Sequence, residues 1–164
     1  MNNKVIVIMD TISTHECTQI LDVWESSVRS THDFLTEENI QSIKPVVKSG
    51  LLQMQKVICM KDDENNIQAF MGISDYKIEM LFINDEFRGK GIGKKLIEYA
   101  INKLNVKYVD VNEQNKQAVG FYVYLGFKEY SRSKTDSQGN PFPILNMKLR
   151  YSTLTGVMNS KIRL

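Results

Sequence analysis

The chain has 164 residues, of which 42% are hydrophobic and 24% are charged, and its net charge is +2. These values are typical of one globular domain, and they exclude a largely disordered chain and a strongly basic nucleic-acid-binding arm. No apolar run approaches the roughly 20 residues of a membrane span, and the run Val5 to Met9 is too short for a signal peptide. We therefore expect a cytoplasmic protein without a membrane or nucleic-acid partner. Cys17 and Cys59 lack the spacing of a disulfide framework or a zinc site, so we expect no metal.

Hydrophobic periodicity predicts an α/β (α+β) chain, in which about seven strands form a mixed, mostly antiparallel sheet flanked by four helices. In chain order, the predicted elements are strand Val5 to Met9, helices His15 to Arg29 and Thr36 to Lys48, strands Lys56 to Met60, Ile67 to Ile73 and Ile78 to Ile83, helix Lys94 to Leu104, strand Val106 to Val111, helix Gln114 to Leu125, and strands Phe127 to Ser133 and Ile144 to Leu149. Thr14 is the predicted N-cap of the first helix, Gly50 ends the second and Gly126 ends the last. The strand–helix–strand unit from Ile78 to Val111 should pair in parallel. We expect a single domain over residues 1–149 and a tail of uncertain structure over residues 150–164.

The most informative stretch is a glycine-rich turn between a predicted strand and a predicted helix, Arg88-Gly89-Lys90-Gly91-Ile92-Gly93-Lys94. Glycines at alternate positions let the backbone approach a ligand, because no Cβ stands in the way. The free N–H groups then point at one spot at the positive end of a helix dipole, which is an anion site that phosphate commonly occupies. The spacing fits neither a Walker loop nor the dinucleotide fingerprint, whose third glycine would fall at Leu96. A glycine-rich connector without a ligand is the alternative.

Two segments resemble the GNAT (GCN5-related) N-acetyltransferase family. Arg88 to Gly93 matches its signature of Arg or Gln, two residues, Gly, one residue, and Gly or Ala. Gln114 to Phe127 is similar to the family's second motif, and the predicted order of elements agrees with the family's fold. The resemblance covers about Val5 to Leu149. It implies an enzyme that transfers an acetyl group from acetyl-CoA directly to a primary amine of a small molecule, a peptide N-terminus or a protein lysine.

The resemblance also implies where the acetyl-CoA lies. The glycine turn from Arg88 to Lys94 would hold the pyrophosphate through its backbone amides. Leu81, Phe82 and Ile83, at the end of the preceding strand, would splay away from a neighbouring strand at a bulge. Their backbone groups would then bond the pantetheine arm as an added strand does.

Tyr122 is the candidate general acid, which by family resemblance would protonate the leaving thiolate. Asn115 stands seven residues earlier, so the two side chains are predicted to share a helix face, with the small Ala118 between them. By the same resemblance, Asn115 would bond the pantetheine arm or a nearby water. The alternative is that Tyr122 is a core aromatic residue beside Phe121.

Glu79 is the candidate general base, because it interrupts an otherwise apolar strand, Ile78 to Ile83. Burying a carboxylate is costly unless the group is bonded or used, and burial would raise its pKa toward a working range. The alternative is that Glu79 lies at the solvent end of the strand, paired with Lys77. A water chain in place of Glu79 is also compatible with the family.

The resemblance implies that the end of the first predicted helix and the loop after it form the acceptor side, where the candidates are Arg29, His32 and Phe34. His32 could act as the base or bind the acceptor. The alternative is that His32 caps the C-terminal end of the first helix, where a positive charge is favourable.

Two other functions stay open at this point. A non-catalytic module that binds or senses acyl-CoA would keep the same fold and the same turn. A P-loop nucleotide binder ranks last, because the hydroxyl residue that binds magnesium is missing. The sequence does not distinguish a monomer from a homodimer.

Overall fold

The computed structural model of the protein describes residues 3–150. It confirms the predicted fold class, since seven strands form one mixed sheet and four α-helices accompany them. The elements are β1 (Val5–Ile8), α1 (Thr14–Thr31), α2 (Glu37–Gln53), β2 (Lys56–Lys61), β3 (Ile67–Ser74), β4 (Lys77–Ile83), a 3-10 helix (Asp85–Phe87), α3 (Ile92–Leu104), β5 (Tyr108–Asn112), α4 (Lys116–Tyr124), β6 (Phe127–Ser133) and β7 (Ile144–Leu149). The part of the predicted tail beyond residue 150 lies outside the described residues.

The described residues form two compact units, residues 3–75 with 80–97 and residues 76–79 with 98–150. The strand order is β1-β2-β3-β4-β5-β7-β6. The boundary between the units falls within β4, after Glu79. The single domain predicted for residues 1–149 stays a prediction. None of the described helices combines the length and the apolar character that a bilayer crossing requires.

The first unit contains β1, β2 and β3, which pair antiparallel as predicted. Buried side chains of α1 and α2 pack with those of β2 and β3 in one hydrophobic core. This apolar burial is the main favourable contribution to the stability of the unit. The largest members of the core include Ile20, Trp24, Leu51 and Phe70.

The second unit contains the start of β4 together with β5, β6 and β7. Lys77 pairs with Tyr108 and Ile78 with Val109 in a parallel register, which confirms the predicted parallel pair. β5 and β6 both pair antiparallel with β7. Gly126, at φ +100°, ends the α4 segment in a backbone conformation that favours glycine, as predicted.

The predicted N-cap of α1 is wrong by one residue. The cap is Ser13, whose Oγ accepts a hydrogen bond from Glu16 N at 3.1 Å, while Ser13 N donates to Glu16 Oε1 at 3.1 Å. This reciprocal pair is a capping box, and the Ser-x-x-Glu spacing is its signal in the sequence.

The predicted end of α2 at Gly50 is also wrong, since the helix continues to Gln53. A Cβ at Gly50 would stand 3.0 Å from Met80 Cε, so the glycine allows close packing against β4 rather than stopping the helix. Glycine within a helix costs about 1 kcal/mol relative to alanine.

The capping box predicts different stabilities for two neighbouring variants. Ser13→Ala should lower the free energy of unfolding by about 1 kcal/mol, because it removes the acceptor for Glu16 N. Thr14→Ala serves as the matched control and should change it by less than about 0.5 kcal/mol. Urea denaturation measures both. A larger loss for Thr14→Ala than for Ser13→Ala would contradict the assignment of the cap.

Candidate functional site

The glycine turn connects β4 to α3 through left-handed backbone. Gly89 has φ +72° and Gly91 has φ +78°, which side chains with a Cβ rarely adopt. A Cβ at either glycine would meet no atom of residues 3–150 within 4 Å, so this part of the chain leaves the space beside the two glycines open. The two glycines are therefore required by the backbone conformation, not by crowding.

α3 begins immediately after the turn, at Ile92. A hydrogen bond from Lys95 N, in the first turn of the helix, to Gly91 O at 3.1 Å joins α3 to the glycine turn. The N–H groups of Ile92 and Gly93 precede this bond, and the first N–H groups of a helix find no acceptor within the helix itself. Ile92 and Leu96 are buried and fix this end of the helix. The geometry is that of an anion site at a helix N-terminus.

The cationic side chains of the turn contact their own neighbours. Arg88 Nη1 lies 3.0 Å from Asp85 Oδ1, and Lys90 Nζ lies 5.6 Å from the centroid of the Phe87 ring. Both contacts hold positive charge close to the turn. The directed donors of the site are then the backbone N–H groups, with the side chains supplying a surrounding positive field.

The start of the turn is attached to α1. Ser26 Oγ donates to Asn84 Oδ1 at 3.3 Å and accepts from Asp85 N at 3.0 Å. Asn84 N in turn donates to Gln68 O of β3 at 2.9 Å. The chain that leaves β4 is therefore fixed by side-chain and backbone hydrogen bonds before it enters the glycines.

The end of β4 carries the apolar residues Leu81, Phe82 and Ile83, all of which are only partly buried. The Phe82 ring centroid lies 5.6 Å from that of Phe70 in the core and 6.4 Å from that of His32. Phe82 therefore links the core of the first unit to the segment that follows α1. The splay and the cofactor contacts predicted for this segment stay predictions.

His32 is the C-cap residue of α1, with its N–H donating to Val28 O at 2.8 Å. Its ring packs against Phe34, with 5.3 Å between centroids, and its Nδ1 lies 2.7 Å from Thr31 Oγ1. Burial lowers the pKa of His32 to about 4, although the charge of Asp33 opposes the shift. The ring is therefore neutral at pH 7, and no positive charge caps the helix there.

Arg29 is engaged by carboxylates. Its Nη1 and Nη2 lie 2.7 and 2.9 Å from the two carboxylate oxygens of Glu37, and its Nε lies 3.4 Å from Glu25. Hydrogen bonds with Glu37 raise the pKa of Arg29 and lower the pKa of Glu37 to about 2. This exposed ion pair holds the start of α2 beside α1. A contact between Arg29 and a substrate stays a prediction.

Tyr122 lies on α4 in the second unit and is 5% exposed. Its ring stacks edge-on against Phe127, with 5.7 Å between centroids. Burial raises the pKa of the Tyr122 hydroxyl, so the group keeps its proton at neutral pH. Within residues 3–150 the hydroxyl has no hydrogen-bond partner. Tyr122 is thus both a packed aromatic residue and a protonated group whose hydroxyl is available.

Asn115 lies outside α4, contrary to the predicted shared helix face. It is the N-cap of that helix, and its Oδ1 accepts a hydrogen bond from Ala118 N at 3.2 Å. An asparagine satisfies a free N–H at a helix start better than most residues, which explains its place. Its predicted contact with a cofactor is not excluded by the cap and stays a prediction.

The burial expected for Glu79 is wrong, because the residue is exposed. Lys77 and Glu79 project to the same face of β4, and Lys77 Nζ lies 3.4 Å from Glu79 Oε1 and 2.8 Å from Asp110 Oδ2. Burial by itself would lower the pKa of Lys77, but its bonds to Asp110 and Glu79 raise it. The predicted alternative, pairing of Glu79 with Lys77, is confirmed.

Lys77 belongs to a row of polar side chains that no sequence pattern predicted. Asn146 Nδ2 donates to Asp110 Oδ1 at 2.7 Å, and Ser131 Oγ donates to Asn146 Oδ1 at 2.8 Å. The row crosses β5, β7 and β6 at positions that are paired in register. Only the strand register brings these residues together, so no local pattern marks them.

The left-handed backbone of the glycine turn predicts that two glycine-to-alanine variants change the free energy of unfolding in opposite directions. Gly91→Ala should lower the free energy of unfolding by about 1–2 kcal/mol, because alanine is strained at positive φ. Gly120→Ala is the matched control, since a Cβ there also meets no atom of the described residues within 4 Å, but the residue lies inside α4. It should raise the free energy of unfolding by about 0.5–1 kcal/mol. Changes of the same sign, measured by urea denaturation, would contradict this account.

Comparisons with known proteins agree with the geometry of the turn. The family model described as "Acetyltransferase (GNAT) domain" matches residues 33–151. The peptidyl-lysine N-acetyltransferase YjaB of Escherichia coli is 36% identical over 129 residues, which are 79% of this chain and 87% of that protein. The YjaB of Salmonella typhimurium is 36% identical over the same length.

Solved structures also share the fold. The solution structure of apo-form YjaB from Escherichia coli has a TM-score of 0.79 and 34% identity, and the match covers 90% of this chain and 99% of that one. The PaiA N-acetyltransferase of Thermoplasma acidophilum, solved in complex with coenzyme A, has a TM-score of 0.61 and 22% identity, with coverage of 88% and 99%. The chain therefore belongs to the GNAT family and is an N-acetyltransferase that transfers an acetyl group to an amine acceptor.

Proposed function

We propose that this enzyme transfers the acetyl group of acetyl-CoA to the ε-amine of lysine side chains in other proteins. Acetyl-CoA as the donor is supported by the glycine turn, where the left-handed residues Gly89 and Gly91 leave open space beside the start of α3. Lysine as the acceptor is supported by the similarity to YjaB, which is named a peptidyl-lysine N-acetyltransferase. We also propose a cytoplasmic location, a monomer or homodimer, and neither nucleic acid nor membrane as a partner.

The donor is proposed to lie along the turn and the end of β4. The N–H groups from Gly89 to Lys94 would bind the pyrophosphate, with Arg88 and Lys90 adding positive charge. Backbone groups of Leu81, Phe82 and Ile83 would bond the pantetheine arm, and Asn115 would contribute a further polar contact. The PaiA complex supports coenzyme A as a ligand of this fold.

The charges in and beside the loop between α1 and α2, residues 32–38, suit a lysine acceptor. Asp33 and Glu38 are exposed carboxylates with no salt bridge among residues 3–150, whereas Glu37 is neutralised by Arg29. Unpaired carboxylates attract an ammonium group by Coulomb interaction, and the attraction weakens with added salt. His32 and Phe34 lie in the same segment and are proposed to line the acceptor side.

The reaction requires a neutral amine, because an ammonium has no lone pair. The amine nitrogen bonds to the thioester carbon, the carbon–sulfur bond breaks, and the sulfur leaves as the CoA thiolate. Tyr122, which burial keeps protonated, would give its proton to the thiolate. Glu79, directly or through water, would take the proton that the amine loses, and a backbone N–H near Leu81 or Phe82 would stabilise the oxyanion.

Direct transfer is favoured over an acetyl-enzyme. Both cysteines are buried. Burial raises the pKa of Cys59 to about 12, so its thiolate is scarce at neutral pH. A single step from thioester to amine then needs no nucleophile from the chain.

The test is acetylation of a matched pair of peptides, followed by mass spectrometry. One peptide has a blocked N-terminus and one lysine, and the other has a free N-terminus and arginine in place of the lysine. We expect acetyl-CoA-dependent acetylation of the first peptide only. Acetylation of the second alone would contradict the lysine proposal. Acetyl-CoA binding without acetylation of any amine would indicate a binding or sensing module.

Tyr122→Phe tests the proposed acid. It should lower kcat by about 100-fold or more while leaving the affinity for acetyl-CoA unchanged in isothermal titration. Tyr124→Phe is the matched control, since Tyr124 lies on the same helix and is 63% exposed. An unchanged kcat for Tyr122→Phe would overturn the assignment of the acid.

A further inference from the structure

We propose that His32 binds the acceptor amine through Nε2, as a neutral imidazole whose tautomer is fixed by Thr31. The inference deepens the proposed function and rests on it. His32, whose backbone N–H caps α1, would then also contact the acceptor through its neutral ring and orient it.

The tautomer follows from three atoms. Thr31 Oγ1 lies 2.8 Å from Ser27 O and 2.7 Å from His32 Nδ1. A carbonyl oxygen can only accept, so the single hydrogen of the Thr31 hydroxyl is donated to Ser27 O. His32 Nδ1 must then be the donor to Thr31 Oγ1. In a neutral imidazole this leaves Nε2 without a hydrogen and with a free lone pair.

No group of residues 3–150 donates a hydrogen bond to Nε2. Within residues 3–150, the only hydrogen bond of the His32 ring is the one to Thr31. The rings that pack beside it belong to Phe34 and Phe82, neither of which has a donor to offer. His32 is only partly buried, so water can reach Nε2, and an amine N–H brought by a ligand could take the place of that water.

The position of His32 relates this nitrogen to the proposed donor site. Phe82, whose ring centroid lies 6.4 Å from that of His32, belongs to the end of β4 proposed to bond the pantetheine arm. Both residues lie in the first unit. Nε2 therefore lies in the part of this unit where an acceptor would approach a thioester held along β4.

The charge state of His32 fits an amine partner. Burial lowers the pKa of His32 to about 4, with Asp33 opposing the shift, so the ring carries no charge that would repel an ammonium. A neutral primary amine has two N–H groups and one lone pair. One N–H can donate to Nε2 while the lone pair faces the thioester carbon. A hydrogen bond of this kind orients the attacking atom.

The first experiment reads the two ring nitrogens directly. His15 is the other histidine of the chain and is exposed, so a His15→Gln variant leaves a single imidazole to observe. With 15N-labelled histidine at pH 7, we expect Nδ1 to carry the hydrogen and Nε2 to be bare. Titration with the blocked lysine peptide, in the presence of CoA, should shift the Nε2 resonance. A protonated Nε2, or an Nε2 resonance unmoved by saturating peptide, would overturn the proposal.

The second experiment separates acceptor binding from donor binding. His32→Phe keeps an aromatic ring beside Phe34 and Phe82 but removes the acceptor nitrogen. It should raise the KM for the lysine peptide by about tenfold, the value of one hydrogen bond, while the KM for acetyl-CoA stays unchanged. Thr31→Val should raise the same KM by a smaller factor, and Thr31→Ser should restore it. Equal KM values for wild type and His32→Phe would contradict the assignment.

The two proposals fail separately. A peptide that shifts Nε2 but is never acetylated would overturn the proposed function and support the role of His32. A peptide that is acetylated with the wild-type KM by His32→Phe would support the proposed function and overturn the role of His32.

Discussion

The proposed donor site depends on left-handed backbone at Gly89 and Gly91. These two residues let the chain turn into the start of α3 through backbone conformations that favour glycine. The buried residues Ile92 and Leu96 hold the helix in place from behind. Ser26 and Asn84 hold the chain before the turn. Glycine is a flexible residue, but rigid support on both sides lets a glycine-rich loop form a defined binding surface.

Charge in the first unit is arranged in two regions with different roles. The glycine turn gathers cations, with Arg88 beside Asp85 and Lys90 beside Phe87. The residues around the loop between α1 and α2 include the exposed carboxylates Asp33 and Glu38, and the nearby Arg29 is neutralised by Glu37. The first region suits phosphates and the second suits an ammonium group. The proposed phosphate-bearing donor and the proposed lysine acceptor would each face a separate part of the same unit.

His32 shows why an uncharged polar residue is useful in such a place. A protonated imidazole beside the acceptor would oppose the approach of an ammonium, while a neutral one offers a lone pair. Partial burial of the ring beside Phe34 and Phe82 favours the neutral form. Thr31 then decides which nitrogen is free. Packing and a single side-chain hydrogen bond together determine the chemistry of the ring.

Much of the fold could be predicted from the sequence because apolar periodicity and turn residues are local signals. The glycine turn was recognised for the same reason, since its residue types and spacing lie within one short stretch. Glu79 was misjudged because an apolar strand predicts burial only when both faces are covered, and this part of β4 leaves Glu79 exposed. The bond between Thr31 and His32 and the row from Lys77 to Ser131 depend on side-chain geometry and strand register, which sequence patterns do not carry.

We propose that coenzyme A is bound by the backbone of the glycine turn and the end of β4. This binding can be followed by NMR through the backbone amide resonances while CoA is titrated into the labelled protein. We expect the largest shifts at the amides from Gly89 to Lys94 and from Leu81 to Ile83. Saturating CoA that leaves these amides unchanged, while shifting others, would contradict it.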